Sequence, residues 1–358
     1  MTPLERVLAA LQCQPVDRVP TFEWLIDRRV IEALFPGADL FGFVENADLD
    51  AVAVYEDSRK QWKTGQTYVD EWGITWAVTA EEYPTSVDFP LRRPEQLADV
   101  ELPDPDAEWR YESLRSAVKR FKGKRAVIFR LRDAYSLPRY LRGMENLMMD
   151  LVLNPGLVRA LVELSVGYYT RVAHRAMELG ADLFFSSDDY CDNRGPVMGA
   201  RRWREFFLPG LRQLVASVKK EGYLFIKHCD GNINPIADDL VDAGIDCLDP
   251  IDSEAGVDLG AIKAKYGARV AIKGGVPVGS VLSSGTAGDT LAAVKRCLLD
   301  AGGGGYVLSS SSDITASVKP ANYLAMLTCL REYGWYPLDV ERLREGKGSK
   351  EQVRSHQG

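Results

Sequence analysis

Only three histidines occur in the 358-residue chain, His174, His228 and His356. One of them stands where chemistry can be done. The stretch YLFIKHCDGNINP, Tyr223 to Pro235, runs an apolar segment into Lys227, His228, Cys229 and Asp230, then breaks at Gly231 and Asn232. On an extended segment, side chains at i and i+2 point to the same face. His228 and Asp230 are therefore the natural pair, and Cys229 turns the other way. An imidazole and a carboxylate on one face suit a divalent cation. Zinc takes nitrogen, sulfur and oxygen ligands and, in catalytic sites, keeps one position open. The bland alternative is a histidine bonded to a loop carbonyl, with nearby acids paired to Arg130, Arg132 and Lys273. His174 lies in a helical pattern, TRVAHRAMEL, and reads as packing or surface; His356 falls in a polar tail.

Polar residues collect at the ends of other apolar runs in the same way. These ends hold Glu23; Glu56 and Asp57; Arg130, Arg132 and Asp133; Asp188 and Asp189; Asp249 and Asp252; Lys273; and Ser312 and Asp313. No Ser-His-Asp or GxSxG pattern supports a serine nucleophile. No GxGxxG follows the first apolar run, and the glycines 302–305 precede a strand, the wrong order for a phosphate cradle.

The elements that would position these groups alternate regularly. RVPTFEW, LDAVAVYED, KRAVIFRL, ADLFFSSDD, YLFIKHCD, IDCLDPID, RVAIKGGVP and GGYVLSSSSD read as strands, each followed by a helical pattern. Near-continuous apolar runs mark parallel strands buried on both faces. Eight strand-helix units predict an α/β fold, a (β/α)8 TIM barrel, whose catalytic groups come from the C-terminal strand ends. After the second strand, TYVDEWGITWAV and the proline-rich stretch behind it predict a β-hairpin insertion with a turn at 70–73. The region 138–179 is helical and broken at Asn154-Pro155-Gly156. Residues 1–345 are expected to form a single barrel domain, with 346–358 a polar tail.

Bulk properties narrow the function classes. A net charge of −7 argues against nucleic acid as a partner. No apolar run approaches a membrane span, and the first twenty residues lack a secretion signal. Six scattered cysteines without a tight CxxC read as reduced thiols, so a cytoplasmic location is expected.

Several stretches together carry a resemblance: ERVLAALQCQPVDRVP, YVDEWGITW, ELPDPD, VMGARRWREFFLPGL, KHCDGNINPI, AGIDCLDPID, IKGGVPVGSVLSSGT and VKPANYLAM. Over nearly its whole length the chain resembles the uroporphyrinogen decarboxylase superfamily. The resemblance implies a (β/α)8 barrel and one of two chemistries. The decarboxylases carry an arginine-rich RQAGRY-type segment after the first strand and a GHGI-type end to the last strand. Here EWLIDRRVIEAL keeps only Arg28 and Arg29, and SSDI puts Ser312 at the histidine's place. The other branch comprises methyltransferases of corrinoid-dependent systems, whose zinc is held by an H-x-C and a later cysteine. His228 matches that histidine, Asp230 stands for the first cysteine and Ser312 for the second.

The implied site is thus oxygen-rich: Zn2+ on His228, Asp230 and one more carboxylate, Asp189 or Glu23. Nitrogen and oxygen ligands leave a metal a harder Lewis acid, suited to polarising an ether oxygen. The chain is therefore similar to methyltransferases of O-demethylase systems. It is expected to move a methyl group between a small, methoxylated substrate and the cobalt of a separate corrinoid-binding protein. Asp189, Lys273 and Arg130 are the expected catalytic and orienting groups, with Lys273 or Arg130 steering an anionic substrate. Glu23, Glu56, Ser312 and Asp313 are expected to contact substrate. Two other readings stay open: a cofactor-free decarboxylase gripping carboxylates through Arg28, Arg29 and Lys273, and a non-catalytic barrel that docks a corrinoid domain. Barrels of this kind often pair, so a homodimer is one expected assembly.

Overall fold

The computed structural model describes residues 1–78 and 84–344. The expected tail, 346–358, lies outside the described residues. The chain divides into two compact units, Val52–Asp249, and Met1–Ala51 with Pro250–Gly358. Parallel strands alternate with helices in both, the α/β pattern of a TIM-type barrel. No described helix is long and apolar enough to cross a membrane.

In the unit Val52–Asp249, the strands Ala51–Val54, Ala126–Leu131, Leu183–Ser187, Phe225–His228 and Cys247–Ile251 lie side by side in that order. Nearly every residue in them is buried. No face of these strands is left to water, so alternation in polarity disappears. Register then decides what meets at the strand ends. Arg130 pairs with Phe185, and His228 pairs with Ser187 on one side and Asp249 on the other. Asp189 and Asp230 each follow two residues beyond the aligned pair Ser187 and His228, so both loops leave at the same level.

The long helical region breaks as its sequence predicts. Met144–Leu153 is followed by Pro155–Glu178, with proline in the first turn where its missing N–H costs nothing. An additional break precedes them at Gly143, which adopts a φ of 79°; a Cβ there would meet the Phe89 ring at 2.5 Å. The insertion is larger than a hairpin. Lys60–Trp62, Thr67–Asp70, Thr75–Val78 and Pro84–Asp88 form a four-stranded antiparallel sheet. Asp70 organises its central turn by accepting from the backbone N–H groups of Trp72 (2.9 Å) and Ile74 (3.0 Å), and it also binds Trp76 Nε1 at 2.7 Å.

In the other unit, Ala271–Val276 pairs in parallel with Tyr306–Ser310 across the helix Ala287–Ala301. The segment Arg18–Trp24, expected as the first strand, forms only isolated bridges, Thr21 with Leu308 and Arg18 with Trp335. Pro20 explains the shortfall: it offers a carbonyl to Leu308 N (3.0 Å) but has no N–H to continue a ladder. The segment still lies extended beside Leu308, and Thr21 O accepts from Asp50 N at 2.8 Å. The Asp50 carboxylate is buried and receives Arg6 (2.5 Å), Arg18 (3.0 Å on each oxygen) and Thr21 N (2.9 Å).

Candidate functional site

His228 ends its strand, and its ring stands between three carboxylates. Nε2 lies 3.6 Å from Oδ1 of Asp189 and 3.6 Å from Oδ1 of Asp230. One ligand atom from each of the three residues falls within 4.8 Å of the others. Ligands about 2.0–2.2 Å from a tetrahedral ion are themselves roughly 3.3–3.6 Å apart, so the imidazole-to-carboxylate spacing fits a single cation. Asp189 and Asp230 are about two-fifths exposed, which leaves the group open to solvent on one side. Asp230 N also donates to Asp189 Oδ1 at 3.1 Å, tying the two loops together.

On the far side of the ring, Nδ1 is 2.7 Å from Oδ2 of Asp249, which is fully buried. A carboxylate only accepts, so Nδ1 carries the hydrogen and donates. In the neutral imidazole that leaves the Nε2 lone pair facing Asp189 and Asp230. A carboxylate behind a ligating histidine fixes its tautomer and raises its basicity. Burial opposes a charged ring here, but Asp230, Asp249 and Asp189 outweigh it and raise the His228 pKa to about 9. Without an ion the site is thus held by a proton, which a cation must displace. A nitrogen and two carboxylate oxygens suit zinc or another divalent first-row metal.

The cluster rests on a buried cation. Lys227, fully enclosed, donates to the carbonyls of Asp188 (2.9 Å) and His228 (2.7 Å) and pairs with Asp133 at 3.0 Å. Those carbonyls belong to His228 itself and to the residue before Asp189, so one ammonium fixes both loops. Asp188 accepts from the N–H groups of Tyr135 (2.7 Å) and Ser136 (2.8 Å), and Tyr190 OH donates to Asp133. Burial and the repulsion of Asp188 raise the Asp133 pKa to about 6, against the pull of Lys227. Cys229 faces away from the acids, as its position implies; its Sγ accepts from Tyr190 N at 3.3 Å.

The remaining expected residues fall into both units. Arg130 lies beside the cluster, its Nε donating to Ser187 Oγ and its guanidinium 4.7 Å over the Tyr55 ring. The Glu56 carboxylate is engaged by Arg110 (3.4 Å), Tyr168 OH (3.4 Å) and Tyr169 OH (3.2 Å), and burial raises its pKa. In the other unit, Glu23 accepts from Ser310 N (3.1 Å) and Ser310 Oγ (2.8 Å). Lys273 is buried mid-strand, its ammonium over the Phe22 (5.2 Å) and Trp24 (4.6 Å) rings. Ser312 O accepts from Ser310 Oγ, and Asp313 O from Thr315 N (3.0 Å). Asp189, rather than Glu23, is the acid grouped with His228 and Asp230. Asp249 and Lys227 have roles that sequence reading did not assign. Asp249 lies in the middle of the strand Cys247–Ile251 rather than at its end, and only cross-strand register makes it the partner of His228.

The family model for uroporphyrinogen decarboxylase (URO-D) matches residues 67–333, well over half the chain. Among solved structures, a methyltransferase from Methanosarcina mazei is similar at 19% identity and a TM-score of 0.75, covering 93% of this chain and 99% of that one. A B12-independent methionine synthase from Shewanella sp. W3-18-1 is 10% identical over 88% of this chain and 92% of its own, with a TM-score of 0.49. The first of these likenesses bears out the barrel-type fold. No curated protein matches the chain.

Proposed function

The chain belongs to the uroporphyrinogen decarboxylase (URO-D) family, and from that premise we propose that it is a metal-dependent methyltransferase of the corrinoid-linked, O-demethylating kind. The observation that carries this reading is the grouping of Asp189, His228 and Asp230. The fold it shares with a methyltransferase from Methanosarcina mazei supports it.

His228 Nε2 and one oxygen each from Asp189 and Asp230 would hold the ion. When bound, a divalent ion in such a set supplies Lewis acidity that polarises the ether oxygen of a methoxy group. Asp249 keeps Nδ1 protonated and the ring fixed. Lys227 holds the two loops that carry the acids. Arg130, half-buried one strand away, orients the substrate. The nucleophile is the cobalt of a separate corrinoid protein, so this chain has to bind the methyl donor and present it in line.

Elemental analysis of the purified protein, paired with a methyl-transfer assay using a corrinoid protein and a panel of methoxylated donors, tests the proposal. One equivalent of a divalent metal, lost together with activity in His228→Ala, is the expected result. Full methyl transfer by a protein stripped of metal would overturn it. The family's name keeps a decarboxylase in view, but Arg28 is exposed and Arg29 is bound to Asp27 at 2.8 Å while half exposed. Release of CO2 from uroporphyrinogen would restore that reading.

A further inference from the structure

The buried arginines of the unit Val52–Asp249 are neutralised: Arg110 is bidentate to Glu71 (2.6 and 2.8 Å), and Arg142 pairs with Asp150 (2.6 Å). A group of three half-buried ones is not. Arg130, Arg132 and Arg139, all half-buried, form no ion pair with a carboxylate among the described residues. They meet on aromatic rings instead. Arg132 lies 4.8 Å and Arg139 4.5 Å from the Tyr140 centroid, and Arg130 lies on Tyr55. Arg139 donates to Tyr140 OH at 2.6 Å, while its buried Nε has no hydrogen-bond partner. Trp76, delivered by the antiparallel insertion, packs against Tyr140 at 4.8 Å.

Acids act on Arg132 only at longer range, and their oxygens are engaged elsewhere: Asp70 by Trp72 N, Ile74 N and Trp76 Nε1, Asp188 by two backbone N–H groups, and Glu56 by Arg110 and two tyrosines. Burial would raise the Tyr140 hydroxyl, yet Arg132, Arg139 and Arg130 bring its pKa below the ordinary value, so all three charges bear on one point. Like charges gathered out of bulk water without a contacting carboxylate are costly, and guanidinium forks match a planar carboxylate.

We propose that Arg130, Arg132 and Arg139, with Tyr140 and Trp76, form an anion subsite that receives a carboxylate of the substrate. Resting on the methyltransferase reading, this makes the methyl donor a methoxylated carboxylic acid. Arg130 binds Ser187, which is paired with His228 and lies two residues before Asp189. The two charge clusters are therefore neighbours across adjacent strands. The acids repel the carboxylate and the arginines draw it in, so the neutral ether end is the one presented to His228.

Binding of benzoate and of its neutral isostere benzamide to the full chain, measured by calorimetry, tests the subsite without requiring turnover. Benzoate should bind at least about ten-fold more tightly than benzamide, and Arg132→Met or Arg139→Met should weaken benzoate about 10- to 100-fold while leaving benzamide unchanged. Should Arg132→Met fail to fold, Arg139→Met and the charge-conserving Arg132→Lys, followed by circular dichroism, decide the matter. Equal binding of the two probes, or unchanged benzoate affinity in folded variants, would overturn the subsite. Tighter binding of inorganic phosphate than of benzoate would overturn the assignment to a carboxylate. A protein that binds benzoate as described but transfers methyl from no methoxylated acid retains the subsite and loses only the methyltransferase reading.

Discussion

Asp50 and Asp189 are both carboxylates set among charged neighbours, and they are treated in opposite ways. Asp50 is closed: two arginines and a backbone N–H saturate its oxygens, and no water reaches it. Around His228, three carboxylates face a single imidazole, and two of them are two-fifths exposed. The first arrangement balances its charge from within. The second carries surplus negative charge beside a ring nitrogen, which is what a cation needs. The difference teaches that excess charge, rather than charge density, separates a ligand site from a structural tie in this chain.

The sharpest way to break the comparison is at His228. Replacing it with Ala should remove the bound metal and lower methyl transfer by about a thousand-fold or more, since the ion contributes several kcal/mol to the transition state. Asp50→Ala should act on the fold and spare the metal. Leaving Arg6 and Arg18 buried without their partner should cost about 3–5 kcal/mol in denaturant unfolding, with metal content per folded molecule unchanged. If instead Asp50→Ala empties the metal site, the two nodes are not independent.

Asp249→Asn sharpens the contrast further. It keeps the shape but removes the acceptor charge behind Nδ1, and metal affinity measured by chelator competition should fall about 10- to 100-fold. The gentlest probe is pH. With a His228 pKa near 9 in the ion-free protein, against an ordinary 6.5, each bound cation releases one proton below pH 9. Log affinity should therefore rise by about one per pH unit from 6.5 and level off above 9, and in His228→Ala the slope should vanish. The sign for stability is opposite: the imidazolium's contribution to the ion-free fold is full below pH 6.5 and is lost as pH rises through 9.

Much of this was legible beforehand because it depends on local spacing. Apolar runs separated by helical periodicity gave the barrel-type alternation, and the i, i+2 relation put His228 and Asp230 on one face. What was hidden depends on register. Asp249 becomes the partner of His228 only because the strands Phe225–His228 and Cys247–Ile251 align at that residue pair. Lys227 reads as one more strand residue, yet its ammonium reaches two carbonyls from different loops. The arginine cluster was hidden for a related reason. Arg130 and Arg132 were visible at a strand end, but their lack of acidic partners is a three-dimensional fact involving a helix and an insertion. Arg18–Trp24 misled in the other direction: its residues suit a strand, and a single proline reduces it to isolated bridges.

Trp76 reaches Tyr140 from a segment that the alternating scaffold does not require. One wall of the proposed subsite is thus carried by a stretch separate from those that carry the acids. A change at Trp76 would therefore alter that wall while the acids at 189 and 230 stay untouched.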